Sequence, residues 1–143
     1  MPLVTTRTDY RPVFHMGAVG GIKPPFWDQH DEFGDTNMLV RTADEGRSLA
    51  KALGSHWMVL MVRHGVTTVG RSMQENVFRC IFSCQNAEHQ TRALMVGKPG
   101  YLSPGEVEMA GQLASDPVSI ERAWEFWCAL LERSGAMPQP AKR

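Results

Sequence analysis

Neither sign of charge is in surplus here: fifteen lysines and arginines face fifteen aspartates and glutamates. With the charges cancelled there is no electrostatic footprint for nucleic acid or an anionic membrane, and neither is expected as a partner. Cysteine is scarce, at three residues (Cys80, Cys84, Cys128), an odd number without C-x-x-C spacing. That argues against a disulfide scaffold and a cysteine zinc site, and it points to a reducing cytoplasm. No apolar run approaches the roughly 18 residues that span a bilayer, and the opening residues do not read as a leader. The small-residue stretch Met16 to Gly21 lacks both the Gly-Lys-Ser/Thr ending and the G-x-G-x-x-G of phosphate cradles. Internal repeats and low-complexity blocks are also missing.

What is present is an ordinary globular composition, 43% apolar and 21% charged over 143 residues. That length suits one domain that buries about two-thirds of its unfolded surface. The expected domain covers 1–134, and the proline-rich end, 135–143, reads as a disordered tail.

The most informative stretch is Trp57 to Val62, an uninterrupted apolar run that reads as a strand buried on both faces. It runs into Arg63-His64-Gly65 and then a second β-rich run, Val66 to Val69. Gly65 is expected to supply the sharp turn that presents His64 at the strand end. A histidine so placed suits a metal ligand or a general base, although many such residues are structural.

Capping signals delimit the helices. Thr42-Ala-Asp-Glu45 and Ser72-Met-Gln-Glu75 read as capping boxes, as does Ser103-Pro-Gly-Glu106 with proline at the first helical position. They predict helices from Thr42 to just before Gly54, from Met73 to Val96, and from Pro104 to about Ala114. A last helix is expected from Asp116-Pro117 to about Arg133, with Ile120, Trp124, Trp127, Cys128 and Leu131 on one face. On the long helix the apolar positions Met73, Val77, Cys80/Ile81, Cys84, Ala87 and Leu94 trace the expected buried stripe, with Cys80 and Cys84 as core thiols and His89 at the surface.

Elsewhere the pattern is weaker. Residues 1–10 read as a short strand or a frayed end, and 16–21 as a tight packed turn or the opening of a short helix. Lys23 to Asp35 reads as a solvated loop whose Asp28, His30, Asp31 and Glu32 match no metal-binding spacing. Met38 to Val40 reads as a short strand. His15, beside the small-residue turn, either lines a pocket or is packed structurally. By periodicity alone the chain is an α/β domain with one well-placed histidine.

Taken in order, RPVFHMGAVGG, FGDTNMLV, GRSLAKALG, VLMVRHGVTTVG and FRCIFSCQNAEHQTRAL resemble the class II aldolase/adducin family over roughly residues 11 to 113. The match is to the second half of the family domain, and the ending AWEFWCALLE is closer to members that decarboxylate hydroxylated aromatic acids. The resemblance implies a three-layer α/β/α fold, incomplete at the N-terminus, in a homo-oligomer, usually a tetramer. It also implies a divalent metal, zinc or manganese-like, held by a His-x-His pair and the histidine of the HG motif, which falls on His64. No histidine precedes His15 in this chain, and His15 is not at a matching position. His15 and Arg63 are candidates for lining the substrate pocket, Arg63 either binding a substrate carboxylate or pairing with a neighbouring acid. The implied function is a lyase acting on a small hydroxy-carboxylate, by decarboxylation or aldol cleavage. The alternative is a non-catalytic remnant or assembly subunit.

Overall fold

The computed structural model describes residues 1–137, so the expected tail beyond Met137 lies outside the described residues. In chain order the elements are α1 (Leu3–Thr6), a 3-10 helix (His15–Gly20), β1 (Phe26–Trp27), α2 (Gln29–Phe33), α3 (Ala43–Leu53), β2 (Met58–Met61), β3 (Gly65–Thr68), α4 (Met73–Val96), α5 (Pro104–Ala114) and α6 (Pro117–Ser134).

The apolar run forms the middle of the sheet. β2 lies between β1 and β3, parallel to β1 (Phe26↔Leu60, Trp27↔Met61) and antiparallel to β3 (Met58↔Thr68 through Met61↔Gly65). All four β2 residues are buried, and their side chains alternate between two helical layers as a strand requires. Met58 and Leu60 pack with Leu3, Val4, Tyr10 and Ala87 on the α1/α4 side. Val59 and Met61 pack with Trp27, Phe33, Leu49 and Leu53 on the α2/α3 side. The expected α/β/α layering therefore follows from one strand's alternation. A second core, around Val19, Phe78 and Ala114, joins the 3-10 helix to α4, α5 and α6.

The helix ends follow their caps. Thr42 and Ser103 each form a complete capping box with the glutamate three residues on. Gly54 closes α3 at φ 53, donating to the Ala50 carbonyl, a conformation that favours glycine. At Ser72 the box is incomplete. The hydroxyl accepts the Glu75 N–H, but the Glu75 carboxylate reaches the Arg71 N–H (2.8 Å) and the Arg79 guanidinium instead.

Several expectations are corrected. Residues 3–6 are helical, and Leu3 and Val4 are buried rather than frayed. The expected loop at 23–35 holds β1 and α2, with Asp28 as the α2 N-cap. Met38 to Val40 is not a strand. The Met38 and Leu39 N–H groups bond to the side chains of Thr36 and Asn37, and the Leu39 carbonyl accepts from Gln29. Local side-chain bonds there take the place of a ladder.

The largest correction concerns α4. Its buried residues are Glu75, Phe78, Arg79, Ser83, Asn86, Ala87 and Gln90. Met73, Leu94 and Cys84 are exposed and Cys80 is half-buried, so neither cysteine is a buried core thiol. The polar face is buried because it has partners. Asn86 accepts the Val13 N–H (2.9 Å) and donates to the Arg11 carbonyl (3.0 Å). Gln90 accepts the Arg11 N–H (2.9 Å) and donates to the Asp9 carbonyl (2.7 Å). Two amide side chains one helical turn apart thus act as a neighbouring strand for residues 9–13, satisfying part-buried backbone groups that have no strand beside them.

Candidate functional site

The parallel strands β1 and β2 end side by side, and the chemistry-bearing residues collect there. Asp28 follows β1 directly, and Val62-Arg63-His64 makes the turn from β2 into β3. In open α/β sheets the crevice beyond the carboxyl ends of the strands is the usual ligand position.

The turn does not rest on Gly65 as the sequence suggested. Arg63 adopts the left-handed conformation at φ 61, whereas Gly65 is ordinary strand backbone with open space where a Cβ would lie. The Arg63 N–H donates to the Val4 carbonyl (3.0 Å), and the His64 N–H closes the turn onto Met61 (3.0 Å). A non-glycine residue at positive φ is strained and persists where its surroundings fix it. Here the fixing contact is Asp28. Its Oδ1 accepts from Arg63 Nη2 (2.9 Å), and its Oδ2 accepts from Arg7, itself left-handed at φ 51. The Asp28 side chain is only 4% exposed. Burial pushes its pKa up, but the His30 amide and the guanidiniums of Arg63 and Arg7 outweigh that and hold it below the usual carboxylate value.

His64 is solvent-exposed at this turn. His15 opens the 3-10 helix and is also exposed, its ring 5.9 Å edge-on from Phe14, which in turn meets His89 at 5.1 Å. His15 therefore keeps company with α4, and no described contact brings it to His64. Among the described residues no group of three or more His, Cys, Asp or Glu is arranged to hold a metal ion. Of the sequence candidates, Arg63 and His64 share a site and His15 stands apart.

Asp28 and Arg7 were not legible as site residues. Asp28 does carry a local signal, an acid placed between an apolar pair and a short helix, as an N-cap should be. Its pairing with Arg63 spans 35 residues of sequence and needs the β1–β2 register.

The chain belongs to the class II aldolase and adducin family: that family's N-terminal domain model matches residues 13–91, more than half of its length. It is similar to the decarboxylase tropJ of Talaromyces stipitatus, at 28% identity over 94% of this chain and 58% of that protein. It is also similar to the decarboxylase NovR of Streptomyces niveus, at 35% identity over 58% of this chain and 30% of that protein. Among solved structures, an L-fuculose 1-phosphate aldolase superposes with a TM-score of 0.66 at 18% identity. That overlap covers 80% of this chain and 50% of the aldolase, and it shows the shared fold. The chain thus matches between 30% and 58% of the length of these relatives. No helix among the described residues is long and apolar enough to cross a membrane.

Proposed function

We propose that the chain is part of a metal-dependent carbon–carbon lyase that decarboxylates a hydroxylated aromatic carboxylic acid, with aldol cleavage as the related chemistry. One observation carries the reading: His64 sits at the carboxyl end of the central strand, inside the segment that matches the family. The names of the two decarboxylase relatives favour decarboxylation. In this reading His64 is one ligand of a divalent ion of the zinc or manganese type.

A catalytic site of this kind takes three protein donors and leaves a position open. The described residues do not fit a complete centre of that sort. In this reading the further donors lie outside the described set, those of a neighbouring copy among them, in keeping with the homo-oligomer, usually a tetramer, that the resemblance implies. The incomplete donor set is also the observation that favours a second reading, in which the chain is a non-catalytic assembly subunit.

Divalent-metal content and decarboxylase turnover of the purified chain, measured beside His64→Ala, test both readings. The lyase reading expects near-stoichiometric metal that disappears in the variant, along with turnover. The exposed position of His64 means that stability should change by no more than about 0.5 kcal/mol. Metal retained in His64→Ala overturns the ligand role, and no metal in either protein selects the assembly reading.

A further inference from the structure

The Arg7–Asp28–Arg63 cluster holds two positive charges against one negative charge. Each guanidinium gives one nitrogen to Asp28, a separate oxygen each, and among the described residues neither has another hydrogen-bond partner. Arg7 and Arg63 remain 55% and 53% exposed, whereas the carboxylate between them is buried. Their free donors border a cleft of about 320 Å³ whose other walls are Thr5, Thr6 and Val62. A guanidinium has five N–H donors in a planar fork, so most of the donors of each remain for a ligand.

Both arginines are held in left-handed backbone, at φ 51 and 61, which is unusual for a side chain of this size. Backbone contacts support both conformations, Arg7 as the left-handed C-cap of α1 with its N–H on the Leu3 carbonyl and Arg63 through its N–H on the Val4 carbonyl (3.0 Å), and the buried Asp28 carboxylate then joins the two side chains. The shared buried carboxylate, the spare guanidinium donors and the position beyond two parallel strand ends are consistent with a preorganised site rather than incidental pairing.

We propose that Arg7 and Arg63, spaced by Asp28, form a binding site for a small oxyanion, a carboxylate or a phosphate group. The site does not depend on the lyase reading, because it binds its anion with no metal present. Two guanidiniums on a carboxylate stabilise its charged ground state, which opposes the loss of that same group as carbon dioxide. Under the lyase reading the group held here is thus an anchoring anion, not the one cleaved. Asp28 is a positioning residue that sets the separation of the two guanidiniums.

The test titrates the full chain with inorganic phosphate and, separately, with acetate as a simple carboxylate, at constant ionic strength. Amide chemical shifts of Thr5, Thr6 and Arg63 report the site. Saturable shifts are expected for at least one probe, and the tighter one names the anion class. Arg7→Gln and Arg63→Gln should each weaken binding about tenfold or more, the loss of one charge-assisted hydrogen bond. Arg7→Lys should recover part of the Arg7 loss. Arg47→Gln, which removes an exposed arginine paired with Asp44 on α3, should leave binding unchanged. If Arg63→Gln fails to fold, Arg7→Gln carries the test alone, since the Arg63–Asp28 pair survives in it. Non-saturable shifts with both probes, or an Arg7→Gln affinity equal to that of Arg47→Gln, would overturn the site.

Discussion

Glu75→Ala is expected to bring the protein close to unfolding. The Glu75 and Arg79 side chains are 5% and 4% exposed and face each other one turn apart on α4. Glu75 Oε1 accepts from Arg79 Nε (3.0 Å) and Nη2 (2.7 Å). The same guanidinium donates to the Val19 carbonyl (2.5 Å) and the Ser115 hydroxyl (3.2 Å), and it lies 3.7 Å over the Trp57 ring. It therefore ties α4 to the 3-10 helix, to the α5–α6 junction and to the residue before β2. Removing the carboxylate leaves a buried charge uncompensated, at a cost of about 3–5 kcal/mol. Against a total stability of about 5–15 kcal/mol that is a large share. Replacing both members, Glu75→Leu with Arg79→Met, should cost less than Glu75→Ala alone, because no orphaned charge remains. Urea unfolding of the three proteins decides the matter, and a Glu75→Ala loss below about 0.5 kcal/mol would remove the pair from the stability account.

The pair also sets a pH dependence. Burial raises the Glu75 pKa, but the Arg79 hydrogen bond and the Arg71 amide outweigh it and hold the carboxyl below its ordinary value. A depressed folded-state pKa contributes stability that is fully present above the unfolded value, about 4.3 for glutamate. That contribution is lost as pH falls through the folded value. Stability should therefore decline from about pH 4 downward, with a shallower decline in Glu75→Gln. Asp28 and Glu45 share the window, the latter held at about 2 by the Thr42 and Arg41 amides, so the variant should reduce the slope without abolishing it.

How far the fold was legible in the sequence follows from where each residue's partner lies. Thr42 and Ser103 meet their glutamates three residues away, and Gly54 closes its own helix, so the bounds of α3 and α5 were readable locally. The run Trp57 to Val62 declared a buried strand because both of its faces are apolar. The buried face of α4 declared nothing, since Arg79, Asn86 and Gln90 look like surface residues until backbone from Asp9 to Val19 is laid against them. β1 has only two residues, and its strand character comes from its pairing with β2. The site divides in the same way. His64 was visible as the residue ending a strand and carrying the family's motif. Asp28 and Arg7 join Arg63 only through tertiary register, and the left-handed turn at Arg63 was hidden by the glycine two positions later.

Gly17→Ala should expose that polar seam directly. A Cβ at position 17 would lie 2.1 Å from Asn86 Oδ1 and 2.5 Å from its Cγ, distances at which something must move. Asn86 is the flexible party, yet its amide is committed to Val13 and Arg11. Pushing it aside leaves buried donors and acceptors unpaired, at about 1–3 kcal/mol for each group. A loss of about 2–4 kcal/mol is therefore expected, with a fall in Tm of roughly 10 °C. Gly46→Ala is the matched control, an interior position of α3 where a Cβ meets nothing within 4 Å. There the same change removes only glycine's excess backbone freedom and should stabilise by about 0.4–1 kcal/mol. The opposite signs separate crowding at Asn86 from any general effect of alanine. In the background of Asn86→Ala the Gly17→Ala penalty should shrink, since Oδ1 and Cγ are gone and only the Cβ of residue 86, at 2.9 Å, is still struck. A Gly17→Ala protein as stable as Gly46→Ala would mean that α4 does not hold residues 9–13 through Asn86 and Gln90. The entry of the chain into the 3-10 helix would then need another anchor, with the buried Tyr10 hydroxyl on the Gly17 carbonyl (2.7 Å) the nearest at hand.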